Sequence, residues 1–246
     1  MEQYDKIAKQ YAESQEKRFL RKYIVDPSFL KTLNPKGLEI LEFACGSGHL
    51  SRQIMKAGAK KVVGVDICSE MIKLAQEEEQ RNPLGIEYLV GDAVNIKNLG
   101  RQFDAVAATF LLHYSKSKDE LYEMCRNAYE HLKEGGRFVA INQNPDSLKI
   151  PFRNQRKYGS EIKPVGKLRE GGEVICTLFY NNKKICAFTN YHWERKTYNE
   201  ALKAAGFKDI EWKLLETSKE GIEKFGKEFC DGWHQRPTLA LITAKK

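Results

Sequence analysis

The stretch Glu42-Phe-Ala-Cys-Gly46-Ser-Gly48 decides the fold, because a strand, a glycine turn and the start of a helix follow one another there. Glu42 lies at the end of an apolar run over residues 38–43. The two glycines lack a Cβ atom, so the backbone can approach a ligand closely at this turn. A strand that passes through a glycine turn into a helix predicts the start of a nucleotide-binding α/β unit.

A second acidic residue ends the next predicted strand. The segment Val62-Val-Gly-Val-Asp66 is again apolar, and Asp66 lies 24 positions after Glu42. A carboxylate at about this distance along the chain is suited to accept hydrogen bonds from the hydroxyl groups of a ribose. The two segments together predict a nucleoside-bearing cofactor at the carboxyl ends of a parallel sheet.

The charge of Glu42 distinguishes between kinds of nucleoside cofactor. A carboxylate repels a pyrophosphate group and attracts an ammonium group. The third small position of the dinucleotide pattern is occupied by Ser51, which is not diagnostic. The chain contains no Gly-x-x-x-x-Gly-Lys-Ser/Thr motif, which argues against a P-loop nucleotide site. The pattern favours S-adenosylmethionine, whose amino-acid end carries an ammonium group and no phosphate.

Further motifs complete a resemblance to the class I S-adenosylmethionine-dependent methyltransferases over roughly residues 38 to 140. Gly91-Asp92-Ala93 is similar to the turn of that family that binds adenine, residues 103–109 to its fourth strand and residues 132–139 to its turn into the fifth. The resemblance implies an S-adenosylmethionine cofactor, with S-adenosylhomocysteine as product. It implies that Glu42 binds the ammonium group, Asp66 the ribose and Asp92 the adenine amine. It also implies cofactor contacts from Ala44, Gly46, Gly48, Ile67, Met71, Ala93 and Phe110.

A narrower resemblance concerns the small-molecule branch of this family that includes toxoflavin synthase, an N-methyltransferase of a pyrimidotriazine. The segments that carry it are residues 4–11, 23–27, 64–71 and the Tyr-His-Trp triplet at 191–193. This resemblance implies transfer of a methyl group to N or O of a small, heteroaromatic molecule.

Composition and charge restrict the class of protein. A chain of 246 residues with 41% hydrophobic and 30% charged residues is large enough for one α/β domain with its own core. No segment approaches the roughly 20 apolar residues of a membrane helix. The chain also starts with polar residues, so we expect a cytoplasmic protein without membrane contact. The six cysteines form no Cys-x-x-Cys pair, and no metal site is expected.

The net charge of +8 leaves several functional alternatives open. Lysines near the carboxyl end alternate with acidic residues, and no platform of aromatic and arginine side chains stands out. We therefore expect a small-molecule methyl acceptor rather than nucleic acid, with the protein a monomer or homodimer. The alternatives are an RNA methyltransferase, a non-catalytic S-adenosylmethionine-binding protein and an NAD-dependent oxidoreductase.

Strands that alternate with helices predict a doubly wound, mostly parallel, seven-stranded sheet in a single domain over residues 1–246. Strands are predicted at 38–44, 61–66, 86–90, 103–109 and 137–142, with a final antiparallel hairpin near 207–216 and 238–243. Helices are predicted at 48–57, 69–81, 117–132 and 197–205, and Ser69 is the predicted cap of the second.

Two segments lie outside this alternation. Residues 1–33 are predicted to be helical, and the apolar face that carries Tyr4 and Tyr11 predicts a lid over the cofactor. Residues 143–196 predict an insertion near the acceptor site, with an extended loop over 151–172. A β-hairpin that turns at residues 181–183 follows this loop.

The methyl acceptor is expected beyond the end of the fourth strand. His113 is the candidate there for positioning the acceptor or accepting its proton. Aromatic side chains stack well on a flat acceptor, and His192 and Trp193 cannot both face one side of a regular strand. The sequence leaves open which of the two faces the acceptor. The acceptor-binding candidates are Tyr114, Tyr180, Tyr191, His192 and Trp193.

Overall fold

The computed structural model describes residues 8–149 and 155–246, and seven of its strands form one sheet. These strands are β1 (Glu39–Phe43), β2 (Lys61–Asp66), β3 (Glu87–Val90), β4 (Phe103–Thr109), β5 (Leu132–Gln143), β9 (Lys208–Lys213) and β10 (Leu239–Lys245). Their order across the sheet is β3-β2-β1-β4-β5-β10-β9. The first five strands run parallel, and β10 is antiparallel to both of its neighbours. This arrangement confirms the predicted doubly wound sheet.

Helices cover both faces of this sheet, which explains why its central strands are apolar along most of their length. All residues of β4 except Asp104 are buried. Cys68 is the N-cap of the helix Ser69–Arg81, and Ser69 is the first residue of that helix, which corrects the predicted cap. None of the helices in the described ranges is long and apolar enough to cross a membrane. The helices are Ala8–Ser14, Asp26–Leu33, His49–Lys56, Ser69–Arg81, Lys118–Glu130, Arg195–Ala205, Lys219–Phe225 and Lys227–His234.

The last two helices were not predicted from the sequence. Their apolar residues recur at helical spacing and pack against distant parts of the chain. Phe19 of the amino-terminal segment contacts Phe225 and Phe229, with ring centroids 4.9 and 5.0 Å apart. Cys230 and Trp233 are buried in the main core. These helices are therefore stabilised by packing against the amino-terminal segment.

The insertion forms a second, antiparallel sheet of three strands. They are β6 (Ser160–Pro164), β7 (Gly172–Tyr180) and β8 (Lys183–His192), in the order β6-β7-β8. The hairpin turns through Asn181 and Asn182, whose φ angles of 49° and 60° match a two-residue turn. The predicted loop over 151–172 is wrong where β6 pairs with β7, because Ile162 alternates with polar neighbours and is buried.

The amino-terminal segment connects the two sheets. Ala8 packs in a cluster with Cys68 and Met71 beside the main sheet. The ring of Tyr11 meets the ring of Phe188 in β8 edge-on, with centroids 5.6 Å apart. The segment therefore lies where a lid is predicted, whereas Tyr4 falls outside the described residues.

Candidate functional site

A cavity of about 300 Å³, called here the larger cavity, opens at the carboxyl ends of β1, β2 and β4. Parallel strands of a doubly wound sheet present their ligand sites at this edge. Each strand contributes residues at or just beyond its carboxyl end, namely 44–47, 65–68 and 109–111. The amino-terminal segment and β8 close the cavity from outside, through Tyr11, Gln15, Arg21, Thr189 and Tyr191.

Asp66 holds the glycine turn in place at the centre of the larger cavity. Its Oδ2 accepts a hydrogen bond from the Gly46 N–H at 2.8 Å, and its Oδ1 accepts one from the Cys68 N–H at 2.9 Å. Burial raises the pKa of Asp66 above its ordinary value, and these N–H donors oppose the rise. Each carboxylate oxygen has a second lone pair, so Asp66 can still accept hydrogen bonds from a ligand.

The two glycines of the turn serve different purposes. Gly46 has a φ angle of 55°, and a Cβ atom built there would meet no atom within 4 Å, because the position faces the larger cavity. Gly48 has a φ angle of 78° and does not line the cavity. A Cβ atom on Gly48 would lie 2.3 Å from the Tyr88 hydroxyl oxygen. The predicted cofactor contact of Gly48 is therefore corrected to a packing role against β3.

Glu42 does not form part of the cavity wall, which corrects its predicted direct contact with the cofactor. Its side chain is 1% exposed, and its Oε2 accepts a hydrogen bond from the Ser51 hydroxyl at 2.5 Å. Its Oε1 is buried without a hydrogen-bond partner. Burial raises the pKa of Glu42 to about 8, although Ser51 and Arg21 oppose the rise. The carboxyl group is thus protonated at neutral pH.

Replacing Glu42 with glutamine is expected to reduce the pH dependence of stability. In the unfolded chain the carboxyl loses its proton near pH 4.5, whereas the folded protein holds it up to about pH 8. The wild-type protein therefore loses stability as the pH rises through this window, by up to about 1.4 kcal/mol per unit. The free energy of unfolding is measured with denaturant at pH 5, 7 and 9. The value for Glu42→Gln should rise relative to that of the wild type as the pH increases to about 8. A constant difference would contradict this, and Glu134→Gln, at an exposed position, is the control.

A buried charged network that the sequence analysis missed borders the larger cavity. The Asp26 carboxylate forms an ion pair with Arg21 Nε at 2.7 Å and contacts His49 Nε2 at 2.7 Å. Gln53 Nε2 donates to the same carboxylate at 2.8 Å. Burial alone would raise the pKa of Asp26, but Arg21, His49 and Gln53 together lower it. Because Arg21 and His49 also line the cavity, this end of it can receive a carboxylate group.

The opposite end of the larger cavity contains the predicted adenine-binding residues. Asp92 and Ala93 line it, together with Ile67 and Met71. The Oδ1 of Asp92 accepts a hydrogen bond from the Val94 N–H at 2.9 Å, which fixes the turn after β3. The wall here is apolar with one carboxylate, which suits a purine base that carries an amino group.

A second cavity of about 70 Å³, called here the smaller cavity, adjoins the larger one. The two share four lining residues, Tyr11, Arg21, Phe110 and Tyr114. His113 lines only the smaller cavity and is 2% exposed. Burial lowers the pKa of His113 to about 3, so its imidazole is neutral and a poor proton acceptor at pH 7. The low pKa argues against a proton-accepting role for His113, and its role in positioning the acceptor stays a prediction.

Tyr191 is the member of the predicted hairpin aromatics that lines the larger cavity. Alternation along β8 then turns His192 to the other face, and it lines neither cavity. His192 is 4% exposed, and burial lowers its pKa. The predicted acceptor contact of His192 is therefore wrong.

Trp193 and Tyr180 also lie away from both cavities, which corrects their predicted acceptor contacts. Trp193 is buried in the core, and its Nε1 donates to the Ser115 carbonyl at 3.1 Å. This bond joins the insertion to the segment that follows β4. Tyr180 is 42% exposed because it adjoins the turn of the hairpin.

Comparisons with known proteins find methyltransferases. The profile of a family described as a methyltransferase domain matches residues 40–136. N-demethylindolmycin N-methyltransferase of Streptomyces griseus is 28% identical over 172 residues, which cover 70% of this chain and 70% of that protein. A ubiquinone biosynthesis O-methyltransferase of Coxiella burnetii is 29% identical over 128 residues, which cover 50% and 53%. A crystal structure of an S-adenosylmethionine-dependent methyltransferase from Mesorhizobium loti has a TM-score of 0.64 at 21% identity, covering 89% of this chain and 96% of that one.

The strand order and the glycine turn, taken with these matches, define the class of protein. Residues 40–136 match the methyltransferase-domain family, and the chain is similar in fold to S-adenosylmethionine-dependent methyltransferases. The narrower resemblance to the branch that includes toxoflavin synthase stays a prediction.

Proposed function

We propose that the chain transfers a methyl group from S-adenosylmethionine to N or O of a small, heteroaromatic molecule. The observation that supports this most directly is the pair of adjoining cavities, a larger one with family motifs along its wall and a smaller one beside it. The relative from Streptomyces griseus, an N-methyltransferase by name, supports a small-molecule acceptor.

The residues of the larger cavity fit S-adenosylmethionine. The open space in front of Gly46 leaves room for a ligand against the backbone. Asp66 would accept hydrogen bonds from the ribose hydroxyls, and Asp92 one from the adenine amine. Arg21, which the sequence analysis did not single out, would bind the carboxylate of the methionine portion. When bound, the cofactor supplies a methyl group that is already activated by the positive charge on its sulfur.

The protein's contribution to the reaction is alignment and the exclusion of water. A preactivated methyl group needs a nucleophile held in line with it, which positioned side chains can provide. Phe110, at a φ angle of 62°, and Tyr114 stand between the two cavities, where they would hold an acceptor against the methyl group. Because burial lowers the pKa of His113 to about 3, its imidazole is a weak base, and a proton released by the acceptor is expected to pass to solvent rather than to this side chain.

The proposed function is tested by titrating the protein with S-adenosylhomocysteine in a calorimeter, with NAD as the comparison. We expect binding of the former and none of the latter. A screen with methyl-labelled S-adenosylmethionine and a library of small heteroaromatic compounds should then yield a labelled product. Binding of NAD alone would overturn the proposal. Slow cofactor hydrolysis with no acceptor in the library would favour the non-catalytic alternative.

RNA methylation is a second candidate, which the net charge of +8 favours. RNA added at low salt should then shift the protein in a gel, and salt should reverse the shift. The volume of the smaller cavity, about 70 Å³, argues against RNA methylation. Indifference to RNA at low ionic strength would remove this candidate.

A further inference from the structure

The smaller cavity has buried polar atoms on its wall that lack a hydrogen-bond partner among the described residues. Among them are Arg18 Nε, Gln143 Nε2 and Asn190 Oδ1. The three residues are 9%, 6% and 2% exposed. Leaving a buried polar atom without a partner costs roughly 1–3 kcal/mol, and native structures rarely contain several of them together. Their concentration around one cavity indicates that a ligand supplies the missing partners.

Arg18 gives this wall a positive charge, and it forms no ion pair with any side chain that the structure describes. Its Nη2 donates to the neutral Gln15 side chain at 2.7 Å, and its guanidinium lies 5.4 Å from the centre of the Tyr11 ring. The other cation on the wall, Arg21, is already paired with Asp26. No aspartate or glutamate lines the smaller cavity in the described part of the chain. A buried charge is stable only when it is paired, so the missing partner of Arg18 is an anion.

Other titratable groups of this region do not supply the negative charge. Burial raises the pKa of Cys176 to about 12 and that of Cys186 to about 11, so both thiols stay protonated at neutral pH. His113 is neutral for the reason given above. Tyr158 contributes a phenolic oxygen that is itself buried without a hydrogen-bond partner.

We propose that the smaller cavity binds an anionic acceptor with a single ring, whose charge pairs with Arg18 and whose polar edge meets Gln143 and Asn190. This inference rests on the proposed function and narrows its substrate class. A volume of about 70 Å³ is far below the roughly 300–1,000 Å³ of pockets for drug-sized ligands, so the smaller cavity admits at most one ring, which would extend into the adjoining larger cavity. Phe110 and Phe188 both line this cavity and provide aromatic surface against which such a ring can pack.

Three one-ring probes that differ in charge test the proposal: benzoate, benzamide and benzylamine. Each is titrated calorimetrically into protein saturated with S-adenosylhomocysteine. We expect benzoate to bind and benzylamine not to bind. Arg18→Gln should weaken the affinity for benzoate by at least about tenfold, since a paired charge contributes more than 1.4 kcal/mol here. The same variant should leave the affinity for benzamide within about twofold of the wild type.

Arg156→Gln is the matched control, because it removes the same charge from an arginine whose side chain is 51% exposed and paired with Glu161 at 3.3 Å. It should leave the affinity for benzoate unchanged. Asn190→Leu is a second variant that does not depend on Arg18→Gln folding. It should weaken the affinity for benzamide more than the affinity for benzoate, because only benzamide has N–H groups to donate to Asn190 Oδ1.

Several outcomes would overturn the inference. They are benzylamine binding as tightly as benzoate, benzoate affinity unaffected by Arg18→Gln, and no probe binding to protein that has taken up S-adenosylhomocysteine. A protein that fails to bind S-adenosylhomocysteine would instead count against the proposed function, so the two failures are distinguishable. Circular dichroism of each variant checks that it is folded. If Arg18→Gln is not folded, the inference is tested by Asn190→Leu, which should lose more affinity for benzamide than for benzoate.

Discussion

Replacing Asp66 with alanine is expected to raise the dissociation constant for S-adenosylhomocysteine by on the order of 10–100-fold. The substitution removes the proposed acceptor of the ribose hydroxyls. It also frees the N–H groups of Gly46 and Cys68, which the carboxylate now holds at 2.8 and 2.9 Å. Both losses act on the larger cavity, so the effect should exceed that of one lost hydrogen bond.

Calorimetric titration of the purified variant measures this change. Asp66→Asn should lie between the alanine variant and the wild type, because the amide oxygen can still accept one of the two backbone hydrogen bonds. Asp119→Ala, at an exposed position in the first turn of the helix Lys118–Glu130, serves as the control and should bind normally. An unchanged dissociation constant in Asp66→Ala would contradict the ribose role.

Replacing Gly46 with alanine should abolish most cofactor binding while leaving the fold intact. A Cβ atom at this position meets no protein atom within 4 Å and enters the larger cavity. It would therefore occupy space that the proposed cofactor needs, and we expect a loss of affinity on the order of 10–100-fold, as for an overpacked site. The positive φ angle of 55° adds about 1 kcal/mol of backbone strain for alanine.

Gly37→Ala is the matched control for that strain. Gly37 has a φ angle of 77°, its Cβ would also meet no atom within 4 Å, and it lines neither cavity. The two variants should lose similar stability in thermal unfolding, and only Gly46→Ala should lose affinity for S-adenosylhomocysteine. If Gly46→Ala and Gly37→Ala bound S-adenosylhomocysteine with equal affinity, the backbone at Gly46 would not face the cofactor.

The main sheet could be predicted from sequence because its buried parallel strands are continuous apolar runs that end at turn residues. The predicted bounds of the second strand at 61–66 and the fourth at 103–109 agree with β2 and β4. The predicted helix over 69–81 also agrees with the structure. These elements have strong local patterns, and the long-range contacts reinforce them.

The sequence did not predict the polar groups that the site assembles from distant parts of the chain. Asp26 and His49 meet across 23 positions, and neither belongs to a recognisable motif. Arg18 and Asn190 reach one cavity from the amino-terminal segment and from the insertion. Tyr180 and Trp193 were predicted to bind the acceptor because they are aromatic. Strand pairing and core packing place both side chains away from the two cavities. Which side chains converge is decided by tertiary packing rather than by local spacing.

The walls of the two cavities have separate origins in the chain. The larger cavity is built mainly by strand ends of the parallel sheet, whereas the three-stranded insertion supplies much of the smaller one, including Ile162, Cys176, Leu178 and Asn190. These four residues line only the smaller cavity, so substitutions at them can diversify the choice of the proposed acceptor, whereas Thr189 and Tyr191 of the insertion also line the larger cavity. Such substitutions offer a direct route to enzymes with new acceptor preferences.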